Sequence, residues 1–116
     1  MKLLLIILLA SPSIYFAETK LGIREVVLNN EKVEVVRLIY PAKSESGMHT
    51  HIHPNRVVYF VKGGTLELIP ENKNEQSKVL DVKDGQTLFL PATTHNVKNI
   101  GTSTIIIVET EIKNIK

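Results

Sequence analysis

Short apolar segments separated by turn residues follow one another along the chain from residue 23, and this pattern predicts strands. Residues 57–61 form a β-branched and aromatic run, and other segments alternate apolar with polar positions. No stretch has a convincing helical period. The predicted strands cover residues 23–28, 32–40, 48–53, 57–61, 66–69, 79–82, 87–90, 95–97 and 104–112. So many short strands in one small chain favour a β-sandwich or a β-barrel.

The first residues have a different pattern. Lys2 is followed by eight apolar residues, 3–10, which is typical of a secretory signal and too short to cross a bilayer as a helix. Cleavage after Ser13 and after Ala17 are both considered, and we take residues 1–17 as the leader and 18–116 as one domain. The alternative is an uncleaved apolar strand or a tethering tail. We therefore expect an exported protein, periplasmic or secreted, without a stable membrane span after cleavage.

Composition narrows the class of protein further. The chain has 116 residues, of which 43% are hydrophobic and 22% charged, as expected for a single globular domain. It contains no cysteine, so disulfides and thiolate metal ligands are excluded. The formal net charge is only +2, there are three Tyr and three Phe for stacking, and no basic cluster occurs. Nucleic-acid binding is therefore not expected.

All four histidines lie in two segments, residues 47–56 and 85–99. An unbroken strand would aim His49, His51 and His53 at one place, because alternate residues of a strand share a face. His95 lies in the second segment. Imidazole is the commonest protein ligand for metals, so the two segments together predict a metal site.

The two segments resemble the paired motifs of the cupin superfamily, which are small jelly-roll β-barrels. Gly85, Pro91, His95 and Asn99 occur in the order of the second motif, with five residues between the first two and three between the last two. Thr93 stands where that motif has an inner glycine. The resemblance implies an all-β fold, a double-stranded β-helix or jelly-roll barrel over residues 18–116.

The first motif has a His-x-His pair, an acid and a closing glycine, and it fits in two registers. In the preferred register His51 and His53 form the pair, and Val57 takes the place of the acid. In the alternative register His49 and His51 form the pair, and Arg56 takes that place. Neither register supplies a carboxylate.

The resemblance implies that a divalent metal is held by His51, His53 and His95. For His49 a rim position is favoured, and a fourth ligand or a hydrogen-bonding partner of a ligand is the alternative. Three neutral imidazoles leave the +2 charge in place, whereas a carboxylate would suit Mn and Fe. An open three-histidine set is typical of catalytic zinc. Zn, Fe, Ni, Mn and Cu are all retained as candidate ions.

Two functions are compatible with these residues. One is a metal-dependent enzyme acting on a small polar molecule, and the other is a non-catalytic module that binds a metal or small molecule, or no metal at all. The resemblance also implies a homodimer formed through edge strands, for which residues 32–40 and 104–112 are the candidates.

Several other side chains are assigned by strand parity and composition. Arg56 is expected to point outward and Tyr59 to pack in the core. Glu109 and Glu111 are expected to be solvated, with a role as pocket acids as the alternative. Asn99 is expected to anchor a turn. Seven further residues are predicted to face the interior: Val35, Val57, Val61, Leu88, Leu90, Ile105 and Ile107.

Overall fold

The computed structural model describes residues 2–7 and 18–114 of the chain. Most of the predicted leader lies outside these ranges, so the leader, its cleavage and export stay predictions. Residues 2–7 have no regular secondary structure. Within the described ranges, no helix is long and apolar enough to cross a membrane.

Nine antiparallel strands make up the regular structure of residues 18–114, and the all-β prediction is confirmed. They are β1 Ile23–Asn29, β2 Val33–Tyr40, β3 His49–His51, β4 Asn55–Lys62, β5 Gly64–Pro70, β6 Lys78–Val82, β7 Thr87–Leu90, β8 Thr93–Asn99 and β9 Ile105–Ile112. Each coincides with a predicted strand within a few residues. The largest difference in the histidine segment is that β3 ends at His51. The chain bends at His53 and Pro54, and proline has no N–H to continue the ladder.

The strands form two sheets that face each other. One sheet has the order β1-β2-β9-β4-β7 and the other β3-β8-β5-β6. The prediction that residues 32–40 and 104–112 are edge strands is wrong, because β2 pairs with both β1 and β9, and β9 pairs with both β2 and β4. The edges of the larger sheet are β1 and β7. A homodimer stays a prediction.

The space between the sheets is apolar at one end and polar at the other. Strand β9 shows the change most clearly, since its inward residues Ile105 and Ile107 are followed by Glu109 and Glu111. The apolar end is a single cluster of buried side chains: Tyr40, Val58, Phe60, Leu66, Val82, Val97, Ile105 and Ile107. Between the sheets, histidines of β3 and β8 on one side face Arg56 and the two glutamates on the other.

Strand parity in β4 and β2 differs from the prediction. Arg56 is 3% exposed and faces inward, whereas Tyr59 is 44% exposed, so both predictions are wrong. A one-residue change of parity moves every side chain of a strand to its other face. The same change puts Val58 and Phe60 in the core instead of Val57 and Val61, and Val36 instead of Val35. For Ile105 and Ile107 interior positions are confirmed, and Leu88 and Leu90 pack against the core.

Asn99 ties the end of β8 to two neighbouring segments. Its side-chain Nδ2 donates to the carbonyl oxygens of Tyr40 and Ser103 at 2.9 and 2.8 Å, and its Oδ1 accepts from the Gly101 N–H at 3.0 Å. The side chain is fully buried. The prediction that Asn99 anchors a turn is confirmed.

Replacing Asn99 by alanine should therefore lower the free energy of unfolding by about 2–4 kcal/mol, because a fully buried side chain loses three hydrogen bonds to backbone groups. Urea denaturation measures this. Asn74→Ala is the matched control, since Asn74 is exposed in the loop between β5 and β6. Equal stabilities of the two variants would contradict the anchoring role.

Candidate metal centre

Three histidines converge at the polar end of the barrel, where β3 pairs with β8. His49 and His95 are direct partners across this pair, and His51 lies two residues further along β3 on the same face. The Nε2 atom of His51 is 2.8 Å from Nε2 of His49 and 3.2 Å from Nε2 of His95. The ring nitrogens of all three therefore meet at one point between the sheets.

The facing sheet contributes charged side chains to the same point. Arg56 of β4 donates from Nη1 to a carboxylate oxygen of Glu109 at 3.0 Å, and the same Nη1 is 3.2 Å from Nε2 of His51. Glu109 is 5% exposed. The prediction that Glu109 and Glu111 are solvated is wrong. They continue the inward face of β9, and their charge is matched by Arg56 and by the Nδ1–H of His51.

The structure groups His49, not His53, with His51 and His95. Because β3 ends at His51, the chain turns before His53 and strand parity no longer applies to it. His53 lies outside this group, with its Nε2 3.9 Å from a carboxylate oxygen of Glu111. The chain thus follows the alternative register of the first motif, with His49 and His51 as the pair and Arg56 in the place of the acid.

Hydrogen bonds fix which ring nitrogens of His49 and His51 carry hydrogen. Nδ1 of His49 lies 2.8 Å from the carbonyl oxygen of Gly47, which can only accept, so this Nδ1 is the donor. Nδ1 of His51 donates likewise to the Glu111 carboxylate at 2.5 Å. In their neutral forms both rings therefore present an Nε2 lone pair to the other. Two such lone pairs at 2.8 Å repel unless a cation or an added proton lies between them.

Burial favours the neutral imidazoles. Desolvation, with further contributions from His49 and Arg56, lowers the pKa of His95 to about 3. Burial also lowers the pKa of His51, although its hydrogen bond to Glu111 acts in the opposite direction. Burial raises the pKa of Glu109, and the nearby Arg56 guanidinium opposes this. The lone pairs of His51 and His95 thus stay available for a metal near neutral pH.

The donor set fits a divalent metal ion. Two nitrogen ligands at about 2.0–2.1 Å from a tetrahedral zinc ion lie roughly 3.3–3.4 Å from each other. The 3.2 Å separation of His51 and His95 is close to this value, and the 2.8 Å separation of His49 and His51 would have to widen by about half an ångström. Metal-ligating histidines also donate their other N–H to a carbonyl or carboxylate oxygen, as His49 and His51 do here to Gly47 and Glu111. His49, His51 and His95 are therefore the three side chains that would hold the ion.

Two clefts reach this cluster from different sides. The larger, about 370 Å³, is bordered by β1, β2 and β3, and its lining includes Tyr40, His49 and His51. The smaller, about 270 Å³, lies beside the loop before β6, and its lining includes Arg56, Lys78, Thr93 and His95. Both clefts are large enough for a small polar molecule.

Comparison with solved structures agrees with the barrel fold. A cupin domain from Bordetella pertussis Tohama I superimposes with a TM-score of 0.77 at 29% identity, and the match covers 85% of this chain and 100% of that one. The chain belongs to the cupin superfamily. No protein-family model and no curated protein matches the sequence.

More distant structures show the same fold for this cupin. An RmlC-like cupin family protein with a double-stranded β-helix fold from Methanocaldococcus jannaschii has a TM-score of 0.62 at 15% identity, covering 90% of this chain and 92% of that one. A double-stranded β-helix protein from Klebsiella pneumoniae has a TM-score of 0.61 at 21% identity, covering 86% and 90%. The predicted jelly-roll barrel is confirmed.

The sequence contained signals for the residues that parity misplaced. Arg56 takes the acid's place in the alternative register, which already paired His49 with His51. The inward face of β9 runs Ile105, Ile107, Glu109, Glu111, so its alternation extends beyond the apolar residues. Following it to the end of the strand places both glutamates inside the barrel.

The lowered pKa of His95 and His51 gives the metal-free cupin a defined pH dependence. An unfolded histidine takes up a proton near pH 6.5, whereas folded His95 does so only near pH 3. The free energy of unfolding should therefore fall as the pH drops through this window, by about 1.4 kcal/mol per pH unit for each histidine kept neutral. The raised pKa of Glu109 has the opposite effect on the free energy of unfolding. Above the ordinary pKa of a glutamate, it makes this free energy fall as the pH rises. Urea denaturation between pH 3 and 7 should give a shallower slope for His95→Gln, and equal slopes would contradict the assignment.

Proposed function

We propose that this cupin binds a divalent metal ion through the Nε2 atoms of His49, His51 and His95 and uses the remaining coordination positions for a small polar molecule. The proposal depends on one observation, the facing lone pairs of His49 and His51 at 2.8 Å. His49 and His51 would hold a cation through these two lone pairs, which would remove their repulsion. The clefts on both sides give a small molecule access to the same point.

The donor set narrows the choice of ion and of chemistry. Three imidazoles suit zinc, iron(II), nickel(II) or copper(II), and the absence of a carboxylate from the three ligands disfavours manganese. When bound, such an ion acts as a Lewis acid and makes a bound water more acidic. The chain's own part is to hold three neutral imidazoles in place and to keep two carboxylates close by.

A second candidate function is a small-molecule binding module that works without metal. It is favoured by Arg56, whose Nη1 lies 3.2 Å from Nε2 of His51 and can donate to the lone pair that a metal would use. A guanidinium in this place gives the Nε2 lone pair of His51 a hydrogen-bond donor from the protein itself. Metal content separates the two candidates.

Elemental analysis of the purified protein should find close to one divalent metal per chain. His49→Ala, His51→Ala and His95→Ala should each remove it, because two imidazoles hold an ion far more weakly than three. His53→Ala is the matched control and should retain the metal, since His53 lies outside the cluster. Loss of metal from the His53 variant would restore His53 to the ligand set. Protein that stays metal-free after incubation with zinc would favour the metal-independent module.

Glu111 should act on the metal through His51. Glu111→Gln keeps an oxygen near Nδ1 of His51 but removes the negative charge that makes the imidazole a stronger ligand. Zinc affinity, measured by competition with a chromophoric chelator, should fall about 10- to 100-fold. Glu34→Gln is the control, because Glu34 lines the same cleft and pairs with Arg24 instead of a histidine. Equal affinities of the two variants would argue against this role of Glu111.

A further inference from the structure

We propose that Arg56 is the anion-binding residue of the metal centre, and that the small molecule it selects is a carboxylate held jointly by the metal and the guanidinium. This inference rests on the proposed metal site and adds the chemical class of its ligand.

The guanidinium is fixed in position but only partly used. Its Nε donates to the carbonyl oxygen of Pro91 at 3.3 Å, and its Nη1 donates to Glu109 at 3.0 Å. Nη2 has no hydrogen-bond partner among residues 18–114. Moreover, a metal on Nε2 of His51 would occupy the lone pair that Nη1 now approaches. Arg56 therefore has N–H groups to offer to a ligand, in an orientation that Glu109 and Pro91 already hold.

The buried charges favour an anion only when the metal is bound. Arg56 contributes one positive charge, and Glu109 and Glu111 one negative charge each, while the imidazoles are neutral. This set is one unit negative without the metal and one unit positive with a dication. A buried excess charge is costly, and one monoanion would neutralise it. Anion binding should therefore depend on the metal.

The smaller cleft supplies a route for such an anion. Arg56 and His95 both line it, and the other polar or charged residues of its lining are Lys78, Thr93, Gln76 and Glu75. Its volume of about 270 Å³ accommodates a small organic acid. A carboxylate has two coplanar oxygens, which suits a metal on one side and a planar guanidinium on the other.

Cobalt(II)-loaded protein provides a direct readout, since the visible absorption of cobalt changes when a ligand enters its coordination sphere. Titration with acetate should change the spectrum saturably, and acetamide, which is neutral and of the same shape, should not. Without metal, acetate should show no binding by calorimetry. A response to acetamide equal to that of acetate would overturn the proposal.

Variants separate the guanidinium from the overall charge of the site. Arg56→Gln combined with Glu109→Gln removes one positive and one negative charge together, so the net charge stays the same and no buried carboxylate loses its partner. Acetate affinity should still fall about tenfold or more, as expected for a lost charged hydrogen bond. Arg24→Gln, at the rim of the larger cleft, is the matched control and should leave acetate affinity unchanged.

The outcomes distinguish this inference from the metal site itself. If cobalt does not bind to the unaltered protein, the metal centre fails and the carboxylate site fails with it. If cobalt binds to the unaltered protein and to the double variant, but acetate affinity is the same in both, the metal centre stands and the role of Arg56 is wrong. Circular dichroism of the double variant shows whether it is folded before either conclusion is drawn.

Discussion

The buried ion pair between Arg56 and Glu109 is the interaction on which the polar end of this barrel depends. A guanidinium that is 3% exposed is tolerated only where its charge is matched and most of its N–H groups find acceptors. Glu109 supplies the charge and Pro91 a carbonyl oxygen. Because the pair spans β4 and β9 within one sheet, it presents a charged surface to the histidines of the other sheet. The histidine cluster thus faces a wall in which Arg56 and Glu109 already pair with each other.

Strand β9 explains how one small domain contains both a core and a site. The apolar residues Ile105 and Ile107 pack against the other sheet. The next two residues on the same face are Glu109 and Glu111, which carry carboxylates. The change takes place within one strand, so the site is held by the same backbone ladder that holds the core. Asn99 secures the opposite end, where it joins β8 to the segments before and after it. Neither end requires an additional domain or a disulfide.

Sequence patterns predicted the architecture well because strand and turn signals are local. All nine strands lie within a few residues of their predicted bounds. The site was predicted only in part. The predicted strand 48–53 alternates as far as His53, whereas β3 ends at His51, and the structure groups His49 instead of His53 with His51 and His95. Strand β4 has apolar residues on both faces, so its sequence does not show which face points inward. The charged Arg56 was therefore expected to point outward. Both differences come from long-range pairing that a single strand does not encode.

The place of Arg56 gives the centre its particular chemistry. A carboxylate in this position would join three histidines as a fourth ligand and reduce the charge of the ion. A guanidinium would do the reverse, since it would add a positive charge beside a bound ion and could not coordinate it. The two glutamates offset part of that charge, but both are engaged, one with Arg56 and the other with His51. With a metal bound, the remaining positive charge and the N–H groups at Nη2 would therefore favour a ligand that enters as an anion, so that an arginine in the place of the acid would change the preference of the site for its ligand.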